Sequence, residues 1–236
     1  MKPPLQHSTA SAHRAKTPRA SGGPRASANN SAAAKQARIL RVAASTFARR
    51  GFAHTTMEDI AKAAGVAKGT LYLYFRSKQE LFVQMVLFGM NRVHQMIKRE
   101  ASKMIDPRKR LERAMDIMFR ALRQYEETTL LTEVPKFLSA NDVMRIKRAG
   151  FGLVDQFESI IKQCQRLASL RGRLNPRVLA MTVVGGLAGY AHGWLELKES
   201  LPPPDEYLCT YKRLLWIAIY GERAPGKRLK EGKHAN

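Results

Sequence analysis

Cysteine is nearly absent from this 236-residue chain, with Cys164 and Cys209 its only two. Two thiols cannot build a disulfide framework or close a metal site alone. Both lie in apolar patterns of helical period, which predicts reduced, buried thiols. Histidine is sparse too: His7, His13, His54, His94, His192 and His234 are scattered, and none pairs with a carboxylate at ligand spacing. A phosphate-cradling glycine loop and a nucleophile elbow are missing. The acidic pair Glu126-Glu127 falls at a helix boundary and reads as solvated. These absences leave no support for enzymatic chemistry, and no cofactor or metal is expected. Long hydrophobic runs are lacking except at Val178 to Leu195, "VLAMTVVGGLAGYAHGWL". That run is of minimal spanning length and His192 interrupts it, so a soluble packed helix is expected and no membrane. The N-terminus lacks the apolar centre of a secretory leader, and a transit peptide would need an amphipathic helix not evident before residue 34, so the cytoplasm is the expected location.

Acidic residues are the next shortage. Lys and Arg number 41 against 19 Asp and Glu, a formal net charge of +22. Such a balance favours nucleic acid or an anionic surface as partner. The excess is uneven. Residues 1–35 hold six basic and no acidic residues, and residues 36–103 hold twelve against four. Residues 104–221 are nearer balance, with eighteen against thirteen. The basic character therefore concentrates at the N-terminal third.

What is present is helical period. Residues 1–33 are rich in Ala, Ser, Pro, Gly and Asn and almost free of large apolar side chains, which predicts a disordered basic arm. Residues 222–236, ending "GKRLKEGKHAN", read as a similar tail. Between them Ile39, Ala43 and Phe47, with Leu40 and Ala44, mark one face of a first helix stopped by Gly51. Thr56 with Asp59 forms a variant capping box before a helix over Met57 to Ala64, which stops at Gly65. A third helix runs from near Ala67 to about Phe75, and Ser77 caps a long fourth from Lys78 to about Met104. Asp106-Pro107 opens another, striped by Leu111, Met115, Met118, Leu122 and Tyr125. A short helix from about Thr128 ends or kinks at Pro135. Asn141 opens a long one carrying Phe151, Val154, Phe157, Ile161 and Cys164. Asn175-Pro176 and Pro204-Asp205 open the last two. No convincing strand appears, so the fold class is all-α.

The stretch "GVAKGTLYLYF", Gly65 to Phe75, carries the chemistry. A short helix, a tight turn at Gly65-Val66 and a second short helix make a helix-turn-helix. Ile60, Val66, Leu71 and Phe75 point inward. Lys68, Gly69, Thr70, Tyr72 and Tyr74 remain outward, a set suited to a DNA groove: Lys and Thr for phosphates or base edges, Gly69 for close backbone approach, tyrosines for apolar and hydroxyl contact. From "ARILRVAASTFARRGF" through "TTMEDIAKAAGVAKGTLYLYFRSKQELF", Ala37 to Phe82, the chain closely resembles the N-terminal domain of the tetracycline-repressor (TetR) family. The resemblance implies an N-terminal three-helix DNA-binding domain, 34–80, followed by a helical ligand-binding and dimerisation domain, 81–221. It implies a homodimeric, cytoplasmic regulator that binds a palindromic double-stranded DNA operator and releases it on binding a small-molecule effector. Carried over by position, Thr56 would bind phosphate, Lys68, Gly69, Thr70 and Tyr72 would face the major groove, and Tyr74 and Lys78 would hold the backbone.

The second half is less specific. Met115, Met118, Phe119, Phe137, Phe151, Phe157 and Trp194 are candidates for an apolar effector cavity, with Glu133 or His192 as the polar contact. Such a lining suits a hydrophobic or amphipathic compound. Gly185, Gly189 and Gly193 have the small-residue spacing of close helix pairs. With the resemblance, they and Tyr211 and Leu215 of the last helix are assigned to a two-fold interface. The contrasting expectation is a charge-driven, sequence-nonspecific nucleic-acid binder, which would lose affinity in proportion to charge removed.

Overall fold

The computed structural model describes residues 24–124, 137–167 and 174–220. Among these residues every regular element is helical, as the period predicts. The elements are α1 (Pro24–Arg50), α2 (Met57–Ala63), α3 (Lys68–Tyr74), α4 (Lys78–Ala101), α5 (Pro107–Gln124), α6 (Ala140–Leu167), α7 (Pro176–Leu197) and α8 (Pro204–Tyr220), with a 3₁₀ turn at Lys198–Ser200.

Met1–Lys35 forms a unit of its own. Its residues 24–33, expected to be disordered, are helical. Pro24 suits a first helical position, and the alanines at 32–34 have the highest helix propensity of any residue. Residues 1–23 and the tail 222–236 lie outside the described residues, as do Tyr125, the helix expected near Thr128, Pro135 and Glu133.

Two apolar clusters organise residues 36–220. The first gathers Ile39, Leu40, Ala43 and Phe47 of α1, Ile60 and Ala61 of α2, Leu71 of α3, Phe75, and Leu81, Phe82 and Met85 of α4. Phe52 stacks on Phe47 at 5.4 Å and meets Phe82 edge-on at 5.5 Å. The second gathers Val93, Ile97 and Ala101 of α4 with the inner faces of α5, α6, α7 and α8. Helix α4 thus contributes its first turns to one core and its last turns to the other.

Capping follows the local sequence closely. The Ser77 hydroxyl accepts from the Glu80 N–H at 3.1 Å to open α4. The Asn175 side-chain Oδ1 accepts from Arg177 N–H at 2.9 Å to open α7. Helix α6 is capped by Ser139, whose hydroxyl accepts from Asp142 N–H at 3.1 Å, rather than by Asn141. Of the two cysteines, Cys164 is buried and Cys209 is exposed, contrary to the expectation for the second. Burial pushes the Cys164 thiol up to about 11.

Helices α7 and α8 are joined by tyrosines. Tyr207 donates to the Gly186 carbonyl at 2.8 Å and stacks on Tyr190 at 3.9 Å. Tyr211 donates to the Thr182 carbonyl. A Cβ at Gly186 would come within 2.7 Å of the Tyr211 ring carbon Cζ, so a larger residue there would displace the Tyr211 ring.

Candidate functional site

The helix-turn-helix is built from its caps inward. The Thr56 hydroxyl accepts from Asp59 N–H at 3.1 Å, and Asp59 Oδ2 in return accepts from Thr56 N–H at 2.9 Å and from the hydroxyl at 2.7 Å. Arg50 approaches the same carboxylate at 2.9 Å. The Thr56 hydroxyl, its backbone N–H and Arg50 together hold the Asp59 carboxyl down at about 2, against an ordinary 3.8. Gly65 at φ +60° makes the turn, and Val66 N–H donates to Ala61 O at 3.0 Å. Left-handed backbone of this kind favours glycine, so Gly65 is where the chain can reverse between α2 and α3.

Helix α3 is anchored by Leu71 and, just past its end, Phe75, both fully buried. Those two anchors turn the rest of the helix outward. Lys68 and Gly69 are exposed and Thr70 is half-buried. Tyr72 is 45% exposed. Leu73, which sequence reasoning left out of the outward set, is 85% exposed. The alternation of apolar and tyrosyl residues hid it, because leucine on a short helix reads as core. Lys68 Nζ lies 3.0 Å from Glu58 of α2, and that hydrogen-bonded carboxylate raises its pKa.

Two further positions carry structural contacts of their own. Tyr74 is half-buried against the first core and lies 6.2 Å from the Phe75 ring. Lys78 Nζ donates to Phe52 O at 2.8 Å and sits 4.4 Å from the centroid of the Phe52 ring. The lysine therefore fastens the loop after α1 to the start of α4. Thr56 is likewise committed to its capping box.

The predicted effector residues scatter. Met115, Phe119 and Phe157 are buried in the second core and do not line the cavity that Met118 borders. Phe137 stacks on Phe52 at 3.8 Å, in the first core. Phe151 is 46% exposed because the inward stripe of α6 runs through Leu153, Val154, Phe157 and Ile161, leaving position 151 on its flank. Trp194 packs on Tyr190 at 5.7 Å. Met118 and His192 do line a cavity, of about 470 Å³, among α4, α5, α6 and α7. Its other walls include Met85, Met90 and Val93 of α4, Leu153 of α6 and Val184 of α7. The contribution of α4 was missed. The available signal was Gly89, a lone glycine inside an otherwise strong helix, which lines the cavity without filling it.

Residues 39–85 match the bacterial regulatory proteins of the tetR family. Those residues form a tetR-family DNA-binding domain. The matched stretch spans the buried residues of the first core, Ile39 to Met85. The chain is 28% identical over 174 residues to the HTH-type transcriptional regulator TtgR of Pseudomonas putida, covering 70% of this chain and 82% of that one. Among solved structures it superposes on the fatty acid degradation regulator FadR from Bacillus halodurans with a TM-score of 0.66 at 21% identity, over 77% of this chain and 94% of that one. FadR from Bacillus subtilis in complex with stearoyl-CoA gives a TM-score of 0.63 at 17% identity, over 78% and 98%. Both structural likenesses bear on the fold.

The residues assigned to a two-fold interface divide. Gly185 and Gly189 are exposed, with open space where a Cβ would stand, while a Cβ at Gly193 would meet Leu201 Cδ1 at 3.3 Å. Tyr211 is engaged within the chain by Thr182. Leu215 is buried in the second core, one helical step from the exposed Leu214 and Ile217. On α7 the large apolar side chains left exposed are Val178, Met181 and Leu197; the first two share a face with Gly185 and Gly189, and Gly189 also lines the cavity.

Proposed function

We propose that this chain is a homodimeric, cytoplasmic TetR-family repressor that binds a palindromic operator and releases it when an amphipathic small molecule occupies the cavity among α4, α5, α6 and α7. The observation that carries the reading is the outward face of α3, where Lys68, Gly69, Tyr72 and Leu73 project from a helix held by Leu71 and Phe75. Thr56, Thr70, Tyr74 and Lys78 are proposed as flanking backbone contacts. The face offers no Arg, Asn or Gln for bidentate base contacts, so sequence preference leans on apolar contact and DNA shape. Residues 34–80 are proposed as the DNA-binding domain and 81–221 as the effector and dimer domain.

The exposed apolar residues Val178 and Met181 of α7 and Leu214 and Ile217 of α8 support a four-helix contact with a second copy. The cavity's volume is that of a small-molecule site, and its apolar lining with one histidine suits an amphiphile. A neighbour of the same fold is described with stearoyl-CoA, which makes acyl thioesters a reasonable first set of effectors to try. Selection of bound fragments from a random DNA pool at near-physiological salt tests the whole reading. A recovered palindrome is expected. Fragments without a common motif would instead support a charge-driven, sequence-nonspecific binder.

A further inference from the structure

We infer that the cleft between α1, α4 and α5 is the head-group subsite of the effector site and takes a phosphorylated head. The inference rests on reading the apolar cavity as the effector site. Beside that cavity lies a second one of about 250 Å³. The two share Met85, Gly89 and Val93 of α4 and Ala121 of α5, so they adjoin.

Their chemistry differs sharply. The apolar cavity has only His192 as a titratable side chain in its lining. The second cleft is lined by Arg41 of α1, Arg92 of α4 and Arg120 of α5, with the Ser45 hydroxyl. No carboxylate lines either one. Among the described residues none of these three arginines forms an ion pair, whereas Arg50, Arg99, Arg145 and Arg177 each do. All three side chains are exposed and carry no carboxylate partner among the described residues, which leaves their guanidinium groups open to a multiply charged anion. The planar fork of arginine matches phosphate oxygens two at a time. A chain leaving that head would pass Gly89, where α4 carries no side chain, into the apolar cavity.

The arrangement also reaches the DNA-reading half. Arg41 lies between Leu40 and Ala43 of the first core, while Arg92 and Arg120 border the second. A phosphorylated head would therefore tie α1 to α4 and α5, and a chain with no such head would fill the cavity without that tie. Two carriers fit the chemistry, a nucleotide-borne phosphate and a lipid phosphate.

Calorimetric titration of the full chain with palmitoyl-coenzyme A, 1-palmitoyl lysophosphatidate and palmitate separates them. At least one phosphorylated amphiphile is expected to bind about tenfold or more tightly than palmitate, the scale of one charge-assisted hydrogen bond or better. Whichever keeps that margin names the carrier. Arg41→Ala, Arg92→Ala and Arg120→Ala combined should erase the margin while palmitate binding stays within about twofold. Arg166→Ala, which removes one exposed positive charge at the end of α6 away from the cleft, should leave it intact. Palmitate binding as tightly as both phosphorylated probes, a margin surviving the triple variant, or an equal loss in Arg166→Ala would overturn the inference. Should the triple alanine variant fail to melt cooperatively, the three Arg→Lys changes replace it, and an undiminished margin there overturns the inference too. Ala188→Trp, which fills the apolar cavity, marks the other failure. If it leaves every probe binding unchanged, the effector-cavity reading falls and the inference with it. If it blocks palmitate while the arginine variants change nothing, only the head-group inference falls.

Discussion

Lys68 Nζ and Glu58 Oε2 stand 3.0 Å apart, an ion pair that joins the first residue of α3 to the first turn of α2. Both side chains are exposed, so the pair adds little to stability. Its consequence is for DNA, because the glutamate competes with phosphate for the lysine. Glu58→Gln is expected to leave the melting temperature unchanged and to raise DNA affinity about fivefold at low salt. Lys68→Ala should weaken binding at all sequences and reduce the salt slope by about 1. Filter binding over a salt series reads both.

Leu71 and Leu73 occupy one helix two residues apart and should separate stability from binding. Leu71→Ala empties a fully buried site and is expected to cost about 2–5 kcal/mol in urea unfolding. Leu73→Ala should change stability by less than about 0.5 kcal/mol while lowering operator affinity. Equal behaviour of the two in both assays would contradict the assigned orientation of α3.

Lys78 is held by the Phe52 carbonyl and ring. Lys78→Met keeps the aliphatic stem and removes both contacts, with an expected loss of about 1–3 kcal/mol in urea unfolding. A variant as stable as the parent would return Lys78 to the role of a simple DNA contact.

The Asp59 carboxyl, lowered to about 2 by Thr56 and Arg50, makes a pH-dependent cap. A depressed carboxylate stabilises the fold above its unfolded value and ceases to as pH falls through its folded value. The contribution is thus complete above about pH 4 and is lost towards about pH 2. Asp59→Asn should melt below the parent at neutral pH, and the two melting curves should converge near pH 2.

Leu214 and Ile217 are 57% and 47% exposed. Leu214→Glu with Ile217→Glu is expected to give a folded monomer by sedimentation, with unchanged helix content and lost operator binding. A dimer that persists in this variant would remove the proposed two-fold face.

The first half was legible because its local signals coincide with its contacts. Thr56 and Asp59 are three residues apart and cap each other, and Gly51 and Gly65 stand where φ is positive, +75° and +60°. The cavity was not legible for the converse reason. Met115 and Met118 belong to one apolar stripe of α5, yet only Met118 reaches open space. Phe137 and Phe151 carry the same ring to a stacked core and to the surface. Which apolar residue borders a void depends on packing between helices, and no spacing within one helix encodes that. Leu215 was misplaced similarly: a shift of one residue on α8 exchanges the outer face for the inner.

Helix α4 is unbroken over 24 residues, from Lys78 to Ala101. At the ordinary rise it is a rod of about 36 Å. A tilt of about 6° about one end displaces the other by about 4 Å, comparable to the advance of one base pair along a duplex. A rearrangement at Val93 no larger than a methyl group's repacking could thus shift a reading head by one step of its text, with no hinge inside the helix to absorb the motion.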